Sequence, residues 1–395
     1  MTHHRHRRLF ACGLVAAVAL TACGAEKEPD SPIGTTPASG CPSDTAKPLT
    51  LVIGARMGSP TPSLPAEITG LIEQAVTQSQ RVQVVRVDGQ PTVALNADVK
   101  LGSKNDERRK REIATHIQGI TSFVAGMKPK QPEANVLGAL SEAGRVTPEG
   151  GTIVLMDSGL ATAGPLSYQD ESMFDVLPAD EAAYLKAQAQ LPDLKGRSVV
   201  LVGLGSTAEP QAELDNALRA RVVELWKAVV AAAGTACVDS VDIASRRNAF
   251  DTTVPVAKIP LPKEEPPPPC GTTVLRDADS VGFVPEKAEL RDRSAAESTL
   301  QLIVDQVAKG QQKVLLVGNT ATVGPEQGAR DLSKARTETV KSILVAKGVA
   351  AGRITTRGDG FSGQYHENDQ GPGGVLLPGP AARNRSVVVN LSCQS

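Results

Sequence analysis

The chain is 395 residues long, 41% hydrophobic and 22% charged, with 42 basic and 43 acidic side chains and a formal net charge of −1. That length exceeds what one ordinary core organises, and the even charge balance with only 3% aromatic residues excludes the basic, base-stacking surface that a nucleic acid needs. Three of the five histidines are His3, His4 and His6, which leaves His116 and His366 for acid–base or metal chemistry farther along.

The opening residues MTHHRHRR are basic and precede the apolar run LFACGLVAAVAL, which is shorter than the roughly 20 residues of a membrane-spanning helix. Leu20-Thr21-Ala22-Cys23 follows, with Gly24 after it. This arrangement resembles a bacterial lipoprotein signal. The resemblance implies a signal peptide at 1–22, lipidation of Cys23, and an exported protein anchored to a bacterial membrane and facing the cell wall or periplasmic space; an ordinary secretory signal with an incidental cysteine is the alternative. Arg7-Arg8 also matches the pair in a twin-arginine signal, and equally a chance pair in a basic leader. Without residues 1–22 the chain loses three basic side chains and no acid, giving a net charge of −4. Membrane contact is therefore expected through the lipid. Residues 23–48 carry almost no large apolar side chain and read as a flexible tether.

With Cys12 removed and Cys23 lipidated, four cysteines remain: Cys41, Cys237, Cys270 and Cys393. An even number in an exported protein implies disulfides. Of the three pairings, position favours Cys41–Cys237, which brackets the first folded region, and Cys270–Cys393, which brackets the second. None has the spacing of a metal site.

Residues 49–249 alternate strands and helices. LTLVIGA (49–55) and RVQVVRVDG (81–89) read as strands, and Ile68, Leu71, Ile72 and Val76 give 64–79 a helical face. The charged stretch 105–126 is a helix with Ile113, Ile117 and Ile120 inward. TIVLMDSG (152–159) and SVVLVGLG (198–205) are continuous apolar runs expected of central parallel strands, and 209–233 closes the unit as a helix before Gly234. The alternation predicts an α/β doubly wound domain. The element order resembles von Willebrand factor A-like domains, in which residues after the first strand, a Thr and an Asp hold a divalent ion. The matching positions here are Gly54, Arg56, Gly58, Ala134 and Asp157. One carboxylate beside an arginine does not hold Mg²⁺, so no metal is expected. Gly203-x-Gly205-x-x-Ala208, with Glu224 beyond it, has dinucleotide-loop spacing, but the plainer reading is a tight turn, and no cofactor is expected.

Residues 250–270, FDTTVPVAKIPLPKEEPPPPC, are dense in proline and predict an extended polyproline spacer of about 3 Å per residue. From 271 to 395 the expected elements are a strand at SVGFV (280–284), a helix opened by the capping pair Ser294 and Glu297 with Leu300, Ile303, Val304 and Val307 inward, and a strand at 313–318. A helix from Asp331 to Gly348, a strand at 353–358, a long loop at 359–380 and a last strand at 386–391 complete it.

Gly318, Thr320, Gly324, Leu332, Ser333, Arg336 and the pair Asn384-Arg385 stand at the spacing of the OmpA-like peptidoglycan-binding domain, which this region resembles. The resemblance implies an α+β fold of β-α-β-α-β-β order and a site for the diaminopimelate stem of peptidoglycan, with Arg336, Thr320, Asn384 and Arg385 as its residues. The family's Asp, which with the helix Arg grips the zwitterion, falls on Ala321; its His falls on Asn319, its Asn on Ala329 and its helix Ala on Thr337. Losing one charge-assisted hydrogen bond of roughly 1.5–3 kcal/mol weakens binding about ten- to a hundred-fold.

The expectation is a non-enzymatic, lipid-anchored envelope protein that tethers membrane to peptidoglycan. The competing reading is an interaction scaffold whose OmpA-like cleft has lost its ligand and whose first domain recruits another envelope protein. An enzyme is the least supported: His116, His366 and Asp157 read as structural, and Ser333 reads as a helix-opening hydroxyl with no base beside it.

Overall fold

A computed structural model describes residues 41, 47–243, 248–262, 266–308 and 310–393. The predicted signal peptide, the predicted lipidation site Cys23 and most of the 23–48 tether lie outside the described residues. Among the described residues no helix is long and apolar enough to cross a membrane.

The first lobe is built on six strands, β1 (Leu49–Ile53), β2 (Val82–Arg86), β3 (Thr92–Ala97), β4 (Thr152–Met156), β5 (Ser198–Val202) and β6 (Cys237–Val241), in the order β3-β2-β1-β4-β5-β6. All neighbours are parallel except β2 and β3. Its helices are α1 (Ala66–Thr77), α2 (Asp106–Ala125), α3 (Val136–Val146), α4 (Pro178–Ala187) and α5 (Asn216–Ala232). Every residue of β1, β2 and β5 is buried, which is why these strands read as near-continuous apolar runs. Alternate strand residues feed two cores. Leu51, Ile53, Val154 and Val202 pack with Ile68 and Ile72 of α1 and with Ile120 and Val124 of α2. Val52, Ile153, Leu155 and Leu201 pack with Leu140 of α3 and with Trp226 of α5, whose Nε1 donates to Gly159 O at 2.9 Å.

Elements β3, α3, α4 and β6 go beyond the sequence expectation. Helix α3 contains Gly138 and Gly144, each unfavourable in a helix by about 1 kcal/mol, and β3 and β6 are half-exposed edges with mixed composition. Helix α5 begins at Asn216, capped by the Asp215 side chain, rather than at 209.

The part of the proline-rich stretch from 250 to 259 does not stand off as a rod. Ile259 is buried in the first core, its N donates to Gln211 Oε1 at 2.8 Å, and its O accepts from Gln211 Nε2 at 3.2 Å. Ala257 N reaches Glu133 at 3.2 Å, and Phe250 N reaches Ser59 O at 3.0 Å. Burying one isoleucine contributes about 1.5–3 kcal/mol, and the hydrogen bonds to Gln211, Glu133 and Ser59 add to it in holding the segment as a strap.

The second lobe is a four-stranded sheet of β7 (Gly271–Arg276), β8 (Lys313–Asn319), β9 (Ile354–Gly360) and β10 (Ser386–Ser392), ordered β7-β10-β8-β9. Strand β10 is antiparallel to both neighbours, and β8 and β9 are parallel. Helices α6 (Arg293–Ala308) and α7 (Glu326–Ala346) supply Leu300, Ile303, Val340 and Leu344 to its core, and α8 (Pro378–Asn384) leads into β10. The first strand is therefore 271–276, not 280–284: Val281 and Phe283 are buried from a loop whose Phe283 N donates to the Asp277 carboxylate at 2.7 Å. Asp292, not Ser294, caps α6, accepting from Ala295 N at 2.9 Å.

Two disulfides close the lobes. Cys41 is bonded to Cys237 at the start of β6, and Cys270 to Cys393, joining the outer ends of β7 and β10 across 123 residues of chain. Replacing Cys270 and Cys393 together by Ser is expected to lower the urea unfolding free energy by about 2–5 kcal/mol; an unchanged transition midpoint would show that β7 and β10 hold without the cross-link.

Candidate functional site

The main cleft of the second lobe lies where β8 ends against α7. A side chain on Gly318 or Gly358 would run into the α7 backbone at Ser333 or Arg330, so glycine at both strands lets the helix approach the sheet closely. Ser333 is fully buried: its Oγ donates to Arg330 O at 2.9 Å and accepts from Gly360 N at 3.1 Å. It pins α7 to the end of β9, and Arg336 follows one turn later at the cleft.

Arg336 is 4% exposed. Its guanidinium stands 5.0 Å over the Phe283 ring, and Nε donates to Lys287 O at 3.0 Å, the only hydrogen bond of that guanidinium among the described residues. Burial lowers its pKa, opposed by the negative charges of Asp277 and Glu286. Arg336, Thr320, Ala321, Glu286 and Arg385 line one cavity of about 250 Å³ together with Leu177 of the first lobe. Thr320 is 6% exposed, and among the described residues neither its Oγ1 nor the buried Nη1 of Arg385 has a hydrogen-bond partner.

Three of the four residues expected to bind ligand therefore share a cavity, and Asn384 does not. Its Nδ2 donates to Glu367 O at 2.9 Å and to Asp369 Oδ2 at 3.0 Å, and its Oδ1 accepts from Glu367 N at 2.8 Å. With every amide atom engaged, Asn384 anchors the 367–369 loop. Asp369, fully buried, in turn accepts from Thr322 N at 2.8 Å, so Asn384 shapes the cleft from behind. His366 joins this network through Thr322 Oγ1, 3.1 Å from its Nε2.

The first lobe closes the cleft's open side. Arg385 Nη2 meets Asp180 Oδ2 at 2.6 Å, and Arg276 Nη1 meets Asp175 Oδ2 at 3.1 Å. A second cavity of about 610 Å³ continues from the cleft, lined by Asp180, Glu224, Lys227, Glu286 and Arg385. No residue pattern marks this docking, because it depends on surface charges of two lobes that only the tertiary structure brings together.

The position that resembled a metal site is filled differently. Arg56 makes a two-pronged pair with Asp157, at 2.7 and 2.9 Å, and its Nη2 also donates to Ser158 Oγ at 2.9 Å and Leu160 O at 3.1 Å. Burial pushes the Asp157 carboxyl up, and the Arg56 guanidinium and the Gly159 amide oppose that. A side chain on Gly54 would collide with the Asp157 carboxylate, so no further ligand fits there. Among the described residues no group of three His, Cys, Asp or Glu is placed to hold a metal ion. Gly203 and Gly205 both have φ near +72° in the turn after β5, which does not itself open a helix.

Residues 282–373 match the OmpA family. Outer membrane protein A of Bordetella avium is 32% identical over 143 residues, which are 35% of this chain and 65% of that protein; the chain thus spans less than two thirds of this curated relative. A MotB-like protein from Desulfovibrio vulgaris is 22% identical over 31% of this chain and 75% of its own, with a TM-score of 0.27. The cell wall anchor of the T6SS from Pseudomonas aeruginosa is 24% identical over 31% of this chain and 81% of its own, with a TM-score of 0.25.

Helix α4, which also carries Asp180, has a pH signature. Glu181, buried in α4, has its pKa raised from 4.5 to about 7 by burial and by Asp170 and Asp180. The folded chain keeps a proton that the unfolded chain releases above pH 4.5, so this contribution to stability is full below 4.5 and is lost as pH rises through 7. Melting temperatures from pH 5 to 8 are expected to fall more steeply for the wild type than for Glu181→Gln; parallel curves would refute the assignment.

Proposed function

We propose, from the OmpA family domain at residues 282–373, that this chain is a non-enzymatic envelope protein whose second lobe binds peptidoglycan through its stem peptide. The observation that carries the reading is Arg336: a buried guanidinium with one hydrogen bond, facing a cavity that also holds the unpartnered Thr320 hydroxyl. A carboxylate entering there meets two arginines, and charge-assisted bonds of that kind are worth about 1.5–3 kcal/mol each.

Further parts of the reading rest on sequence and topology. Residues 1–22 are a lipoprotein signal, Cys23 carries the lipid, and 23–48 is the tether, so that the chain links a membrane to the wall. The first lobe, taken as one domain of residues 49–249, is doubly wound and von Willebrand A-like; its strand order with a single antiparallel edge supports this. The bound Arg56 guanidinium then stands where that family holds a cation.

One observation favours the scaffold reading instead. Arg385 already has a carboxylate partner in Asp180, and Ala321 offers no acid.

Co-sedimentation of the full chain with insoluble peptidoglycan separates the two. The wild type is expected to pellet, and Arg336→Ala to remain in the supernatant with its melting curve still cooperative. A wild type that stays in solution would replace tethering with the scaffold.

A further inference from the structure

The acid missing at Ala321 has a replacement on another segment. Glu286 lines both the 250 Å³ cleft and the 610 Å³ cavity beyond it, and its carboxylate makes no hydrogen bond or close ion pair among the described residues. It sits in the 284–287 turn, closed by Lys287 N donating to Val284 O at 3.0 Å. The next residue's carbonyl, Lys287 O, is the acceptor for Arg336 Nε. The turn that presents Glu286 is thus tied directly to the arginine of the cleft.

Two further features mark the turn as a built one. Glu286 has φ +57°, a left-handed backbone that glycine adopts freely and that a residue with a Cβ holds at a cost. Asp277, the other carboxylate of the cleft, is already engaged: it accepts from Phe283 N at 2.7 Å and lies 4.0 Å from Arg291 Nη1. Among the described residues that leaves Glu286 as the acid of the cleft without a hydrogen-bond partner, and Thr320, 6% exposed in the same wall, with its Oγ1 unpartnered.

We propose that the cleft recognises a zwitterionic amino-acid head group, with Arg336, Arg385 and Thr320 on its carboxylate and Glu286 on its ammonium. The remainder of the peptide runs into the cavity between the lobes, past Glu224 and Lys227. This assignment rests on the wall-binding reading above and adds to it that zwitterion recognition has been rebuilt from the 284–287 turn rather than lost with the acid at position 321. Arg385 is shared between Asp180 and the ligand carboxylate through its two terminal nitrogens, one of which is already occupied.

The test uses the full chain and two preparations of insoluble peptidoglycan, one native and one with its free amines acetylated. Glu286 is exposed on its turn, so Glu286→Gln removes the charge without disturbing the core. Acetylation and Glu286→Gln are each expected to weaken pelleting about ten-fold or more, and the two together no further than either alone. Glu286→Gln binding native wall as the wild type does, or losing affinity on acetylation as the wild type does, would overturn the assignment of Glu286 while leaving wall binding intact. A wild type that pellets with neither preparation would overturn the wall-binding reading, and this one with it.

Discussion

Two arginines of the second lobe, Arg276 and Arg385, each meet an aspartate of the first, Asp175 and Asp180, and the shape of the cleft depends on those contacts. With Leu177 of the first lobe in its wall, the cleft around Arg336 is partly shielded from solvent, and charge pairing there is stronger and less screened by salt than at an open surface. The docked segment is acidic and the surface it meets is basic, since Arg383 also feels Asp170 and Asp175. Opposite charges thus face one another where the two lobes meet.

Within the second lobe the causal order runs from glycine to arginine. Gly318 and Gly358 remove the side chains that would hold α7 away from the sheet, Ser333 then bonds helix to strand end, and Arg336 is carried to the cleft. Asn384 and Asp369 do the equivalent work behind Thr320–Thr322. The spacing Ser333 to Arg336 thus has a half that joins helix to sheet and a half that lines the cleft. In the first lobe, at the carboxyl edge of β1 and β4, the buried Asp157 carboxylate is paired by the two-pronged Arg56 guanidinium.

How much of this could be read from residues alone follows from what each residue depends on. Strands β1, β4, β5 and β8 were legible because burial on both faces or at a sheet centre imposes unbroken apolar runs. Helices α2 and α6 were legible from their periodic inner faces. Strand β7 was not: an edge strand that buries only Leu275 well leaves a faint pattern, while the loop at Val281 and Phe283 buries more and so resembles a strand. Helix α7 starts five residues before its expected start because Pro325 and Gly328 look like loop residues, although proline is acceptable just before a helix. The candidate site was legible at Arg336 and Thr320, which follow a motif. Asn384 follows the same motif and yet faces away, since spacing gives no side-chain direction. Glu286 lies outside any motif, and what relates it to Arg336, the Lys287 carbonyl and a shared cavity wall, is tertiary. The docking of α4 and the strap at Ile259 belong to the same class of long-range contact.

The most direct test of the account is amide hydrogen exchange of the full chain with and without a soluble, diaminopimelate-containing muropeptide. The account predicts slowed exchange at 284–288, 320–324 and 328–336, together with the 177–181 segment of the opposite lobe. Protection confined to the first lobe, or none at saturating muropeptide, would contradict the claim that the cleft around Arg336, closed by the first lobe, is where this protein meets the cell wall.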